Sequence, residues 1–166
     1  MRSEPLPYRS FFVTAEAVAP ISGAMNENIQ SIIDDFAFLD EWEDRYRYVI
    51  ELGERLAPFP DSARDAGHKV PGCVSQVWLL SERGEGPDPV IKFLGDSDAH
   101  IVRGLVAIML ALFSGQRASN ILETDAEGLM RTLGLEEHLT PQRANGLRSM
   151  IKRIKRDAEE ALAERV

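Results

Sequence analysis

The stretch HKVPGCVSQVWLL, residues 68–80, contains the only cysteine of the chain, Cys73. A thiol does chemistry as its thiolate, and an ordinary free thiol is mostly protonated near neutral pH. His68 and Lys69 are close in sequence and would lower the thiol pKa if the fold brought them to it. The alternative is a small buried hydrophobe, the state of most free cysteines. Gly72 before the thiol, and polar Ser75 and Gln76 after it, argue against burial in a core strand. His68 as the base of a Cys–His pair stays open, because such partners are usually distant in sequence. The remaining histidines, His100 and His138, sit among charged residues and share no paired spacing with Cys73. Structural zinc needs about four closely spaced ligands, so no metal is expected. The chain lacks a Gly-rich phosphate loop, an HExxH and a GxSxG.

The elements that must position this thiol follow from hydrophobic periodicity. Ile29, Ile32, Ile33, Phe36 and Leu39 predict a helix over 26–39. A second helix over 41–57 is expected, with Asp40 as cap, Glu43 as its capping-box partner, and Pro58 and Pro60 beyond its end. Residues 74–80 and 89–94 read as strands of an antiparallel hairpin around the turn RGEGPD, with Trp78 as a core anchor. Two short strands need a third strand or a helical cover. The GDSD run at 95–98 is expected to open a helix, with Asp96 or Ser97 as cap and Gly115 just past its end. Gly104 inside that helix predicts close packing against a neighbour. Short helices are expected at 118–122 and 127–133, and Thr140-Pro141 caps a long terminal helix. Arg148, Lys152, Arg153, Lys155 and Arg156 are assigned to its solvated side. Helices, then a small sheet, then helices make an α+β domain rather than an alternating parallel sheet.

The 166-residue chain is 44% hydrophobic with a formal net charge of −8, which suits one compact domain and disfavours nucleic acid as a partner. A single cysteine makes no intramolecular disulfide, no stretch has membrane-span length, and no secretory signal is evident, so a reduced, cytoplasmic setting is expected. Pro5, Pro7 and Pro20 with weak periodicity mark residues 1–24 as a flexible or irregular leader. Met25 opens a segment that reads like an ordinary start, and residues 25–166 form the single domain.

Four collinear blocks resemble the SufE family of sulfur-acceptor proteins in iron–sulfur cluster assembly. They are WEDRYRYVIELGERL (42–56), GCVSQVWLL (72–80), GDSDAHIVRGLVAIML (95–110) and LTPQRANGLRSMIKRIK (139–155). The resemblance implies a fold like that of the IscU/NifU scaffolds, a small antiparallel sheet packed by helices. It implies that Cys73 takes persulfide sulfur from a cysteine desulfurase of the SufS type. That enzyme would be stimulated, and the sulfur would pass to a SufBCD-type scaffold. A CsdE-like protein serving a CsdA-type desulfurase, or an adaptor that binds the desulfurase without accepting sulfur, are the alternatives. The chain needs no cofactor of its own, since pyridoxal phosphate belongs to the desulfurase. Gly72, Ser75 and Gln76 would support the thiol loop, and Asp96 and Arg143 stand in matching blocks as docking-surface residues. One thiol, where scaffolds carry several ligating cysteines, favours sulfur relay over cluster building. A labile persulfide would need shelter, so a mobile Cys73 loop that tucks the sulfur against apolar neighbours is expected.

Overall fold

The computed structural model describes residues 27–164, so the leader at 1–24 and Met25 lie outside the described residues. The chain begins with α1 (Glu27–Phe38) and α2 (Trp42–Glu54). Ile29, Ile32 and Phe36 of α1, with Val49 and Leu52 of α2, are buried, as the helical spacing requires. The α1–α2 corner departs from the expected capping box. Glu41 occupies the cap position and makes no side-chain cap bond. Arg45 holds the corner instead, donating from Nε to the Leu39 carbonyl at 2.7 Å and from Nη2 to that of Phe36 at 3.2 Å. The Leu39 carbonyl thereby gains a donor, and that of Phe36, which already accepts the Leu39 N–H, gains a second.

A single 3₁₀ turn, Asp61–Ala63, leads toward the sheet. Strand β1 (Val77–Arg83) pairs antiparallel with β2 (Val90–Ser97), from Val77 opposite Ser97 to Arg83 opposite Ile91. β3 (Gln116–Arg117) adds the third strand, beside Val90 and Ile91. β1 sits three residues later than the hydrophobic pattern suggests, and β2 starts one residue later and runs three residues further. Residues 74–76 are therefore loop, and Asp96 and Ser97 belong to the sheet rather than to a helix start. The following helix, α3 (His100–Phe113), has Ala99 at its cap without a side-chain cap bond. Cross-strand pairing overrides the local capping signal here, because register commits Asp96 to face Trp78.

α3 is the core element, with nine buried residues over 14 positions, and it packs on α1, α2, β2 and the terminal helix. Its crossing with α2 runs through glycines. A Cβ on Gly104 would lie 2.0 Å from the Val49 carbonyl oxygen, and one on Gly53 would lie 2.7 Å from the Gly104 nitrogen. The close packing expected of Gly104 is thus present. Short helices α4 (Ala118–Glu123), α5 (Ala126–Thr132) and α6 (Leu135–His138) lead to α7 (Pro141–Ala163), whose Thr140 hydroxyl accepts the Arg143 N–H at 3.2 Å. Leu147, Met150, Ile151, Ile154 and Ala158 bury one stripe of α7. Trp78 packs beneath the sheet's other face with Phe59, Ala63, Leu80 and Leu94. The architecture is α+β, a three-stranded antiparallel sheet packed by helices. Among the described residues no helix is long and apolar enough to cross a membrane.

Candidate functional site

Cys73 stands in the loop between the 3₁₀ turn and β1, and that loop has a defined base. The Val70 N–H donates to the Val77 carbonyl and the Leu79 N–H to the His68 carbonyl, each at 2.8 Å. Lys69 bridges Trp78 between these bonds. Residues 71–76 project beyond this base and lie across α7.

At the projecting end, Gly72 has φ +90°, and a Cβ there would sit 2.6 Å from the Ser149 hydroxyl oxygen. The position therefore needs glycine both for its left-handed backbone and for contact with α7. The Cys73 S–H donates weakly to the Gly146 carbonyl oxygen at 3.5 Å. The helix backbone at Gly146 lies against the thiol, and a Cβ there would sit 3.4 Å from the sulfur, in ordinary contact. On the other side, the Gln76 N–H donates to the Asp98 carboxylate at 3.0 Å. The backbone of Gln76 is thus what anchors the end of the loop, while its side chain is exposed.

The sulfur is half-buried beside a cleft of about 200 Å³. Val102, Leu105 and Met150 supply apolar walls, while Ser75 and Arg143 stand at the polar side. Val74, next to the thiol, is 78% exposed. Burial pushes the Cys73 thiol pKa up, so the resting group is a protected thiol rather than a preformed thiolate. The lowering considered for His68 and Lys69 is not realised. The His68 ring sits 2.8 Å from the Asp65 carboxylate, which also accepts the His68 backbone N–H at 3.0 Å.

Of the residues singled out in the sequence, the fold brings Cys73, Ser75 and Arg143 together at one cleft, with Gly72 set against Ser149 of α7. Asp96 is placed differently. Its carboxylate lies in an ion-pair knot, 2.8 Å from Arg64 Nη2 and 2.9 Å from Arg103 Nε, with 15% of its side chain exposed. Arg64 also lies over the Phe59 and Trp78 rings. This knot braces β2 against the 3₁₀ turn and α3. Gly146, Ser149 and Met150 are parts of the site that sequence reasoning missed, although the i, i+3, i+4 spacing of α7 held the signal. Arg153 and Lys155 also leave the expected solvated face. Lys155 donates to the carbonyls of Leu122 and Thr124, and Arg153 to those of Gly67 and Lys69. Among the described residues, no three histidine, cysteine or acidic side chains are grouped to hold a metal ion.

Comparison with known proteins gives the geometry its context. Residues 30–158 match the SufE family model, described as an Fe–S metabolism associated domain. A SufE-like protein of Rhizobium meliloti (strain 1021) is 62% identical over 133 residues, covering 80% of this chain and 95% of the relative. One from Rhizobium etli is 55% identical over 133 residues, covering 80% of this chain and 90% of the relative. A hypothetical protein of Thermus thermophilus, solved in solution, shares the fold at TM-score 0.65 and 20% identity, over 84% of this chain and 99% of that one. By the extent of the family match and the identity to these relatives, the chain belongs to the SufE family and carries a domain associated with iron–sulfur metabolism.

Proposed function

We propose that this protein accepts sulfur on Cys73 from a cysteine desulfurase, stimulates that enzyme by removing its product, and delivers the sulfur to an iron–sulfur scaffold of the SufBCD type. The observation that carries this reading is a solitary thiol held at the edge of an apolar cleft by one weak contact. Such a thiol is protected at rest and released by a small movement. The cleft exceeds by several-fold the roughly 30 Å³ that one water molecule takes in the liquid, so a terminal sulfur fits beside Cys73.

The transfer is thiol–persulfide exchange. Cys73 loses its proton and attacks the outer sulfur of the desulfurase persulfide. A bond forms between Cys73 Sγ and that sulfur while the donor's sulfur–sulfur bond breaks. The donor cysteine leaves as a thiolate and takes up a proton, and Cys73 becomes the persulfide. No outside oxidant or reductant is required, because the sulfane sulfur moves with its oxidation state.

The raised thiol pKa supports activation in the docked state. Swinging Cys73 off Gly146 removes the desolvation that disfavours its thiolate. Exposed Val74 is the apolar contact beside the thiol that a partner covers first. Pyridoxal phosphate stays in the desulfurase, and this chain works without a cofactor in the cytoplasm.

Incubating the protein with a desulfurase, pyridoxal phosphate and cysteine should add one sulfur mass to the intact chain. Cys73→Ser should abolish both this gain and the stimulation of the desulfurase. If Cys73→Ser still stimulated the enzyme in full, the protein would be an adaptor and not a carrier.

A further inference from the structure

The Cys73 loop is not held evenly along α7. Gly146, Ser149 and Arg153 are spaced by three and four residues, which puts them on one helix face. Each meets a different part of the loop: Gly146 meets Cys73, Ser149 meets Gly72, and Arg153 meets the base. Arg153 donates from Nη2 to the Gly67 carbonyl at 3.1 Å and from Nη1 to that of Lys69 at 3.4 Å. The intervening His68 carbonyl is already taken by Leu79. Residues 66–68 form a turn, closed by the His68 and Lys69 N–H groups on the Asp65 and Ala66 carbonyls, and it gives the His68 carbonyl to β1 and those of Gly67 and Lys69 to Arg153.

The third arm of the guanidinium, Nε, lies 3.4 Å from the Asp157 carboxylate one turn further along α7. Both side chains are almost out of solvent, at 12% and 11% exposure. A buried ion pair is a poor source of stability, because desolvation offsets most of its attraction. Burial raises the Asp157 pKa, and the Arg153 and Arg156 charges oppose that rise only in part. Stability alone gives no account of this charge pair at this place. Its geometry does, since the rigid fork of arginine is the side chain that can grip two carbonyls and a carboxylate together.

We propose that Arg153, locked by Asp157, is a positioning residue for Cys73. It clasps the base of the loop to α7, so that movement is confined to residues 71–75, short of the Gln76 anchor, and the thiol returns to its cleft after each excursion. The inference rests on Cys73 as the reacting thiol of the relay, but it concerns this chain alone. With the clasp removed, the base lifts together with the tip, and the thiol spends more time in solvent.

The test is the rate at which iodoacetamide alkylates Cys73 in the folded full-length protein without any partner, followed by intact mass. Arg153→Met keeps the aliphatic stem and removes the donors. It should alkylate about thirtyfold faster than the wild type, the factor expected from losing two hydrogen bonds of ordinary net strength. Arg153→Lys keeps one charged donor and should fall between the two. Asp157→Asn removes the carboxylate charge that locks Arg153 while preserving shape and an acceptor oxygen, and should give a smaller increase; it carries the test if Arg153→Met does not fold. Leu133→Ala, a core truncation outside the cleft, controls for general loosening at equal loss of urea stability. An alkylation rate in the Arg153 and Asp157 variants no higher than that of this control overturns the clasp. A wild-type protein that takes no sulfur from a desulfurase, alongside variants that do expose the thiol, overturns the relay and leaves the clasp standing.

Discussion

Two glycines each set a helix backbone against a neighbour, and the two contacts differ in how tightly they are filled. At Gly104, α3 presses on α2 so closely that a Cβ would fall 2.0 Å from the Val49 carbonyl oxygen. At Gly146, α7 meets the Cys73 sulfur with 3.4 Å to an added Cβ, and an open cleft lies alongside. The first contact joins two elements that are rigid through their own backbone hydrogen bonds. The second joins a rigid helix to a loop tip held by one weak S–H donor bond. Close packing forbids movement where both sides are filled; the same residue permits it where one side is empty. Space beside the contact is thus found next to the thiol, while the α2–α3 crossing is filled on both sides.

Gly104→Ala should break the first contact with the largest effect, a loss of about 3 kcal/mol in urea unfolding, because the Val49 backbone cannot give way. A loss below about 1 kcal/mol, comparable to the alanine helix preference itself, would show that the crossing is looser than described.

The pH profile of Cys73 alkylation sharpens the contrast from the other side. Burial raises the folded-state pKa, so at any pH near neutral less thiolate is present than in the unfolded chain. The half-maximal rate should therefore lie at higher pH in the folded protein than in the same protein in urea. Equal or reversed midpoints would mean that Cys73 is not sheltered.

Gly146→Ala should have the smallest effect on stability. An added methyl at 3.4 Å from the sulfur is ordinary contact, and alanine favours the helix by about 1 kcal/mol. The fold should hold or gain slightly, while sulfur uptake slows as the cleft narrows. A destabilisation as large as that of Gly104→Ala would erase the distinction between the two contacts.

Much of the scaffold was legible because it is encoded locally. The stripes of α1, α3 and α7, the Thr140-Pro141 start, the hairpin turn and the glycine at the α2–α3 crossing each announce themselves within a few residues. Cys73 was legible because few residue types do its chemistry and the surrounding blocks resemble one family. Asp96 was misread for a physical reason. Its setting in GDSD carries a helix-start signal, but pairing with β1 draws it into the sheet, where Arg64 and Arg103 claim its carboxylate. Arg153 was placed on a solvated face because its partners, Gly67 and Lys69, are more than 80 residues away in the chain.

By itself the sequence determined the α+β class, most of the helical faces, the single thiol and the family that the thiol belongs to, because periodicity and residue chemistry are read over short spans. Only the tertiary structure decided what surrounds that thiol. The seat on Gly146, the contact of Gly72 with Ser149 and the grip of Arg153 on the loop base join segments some 73 to 86 residues apart. Contacts between such distant segments exist only once the core between them has packed, and no local propensity encodes them.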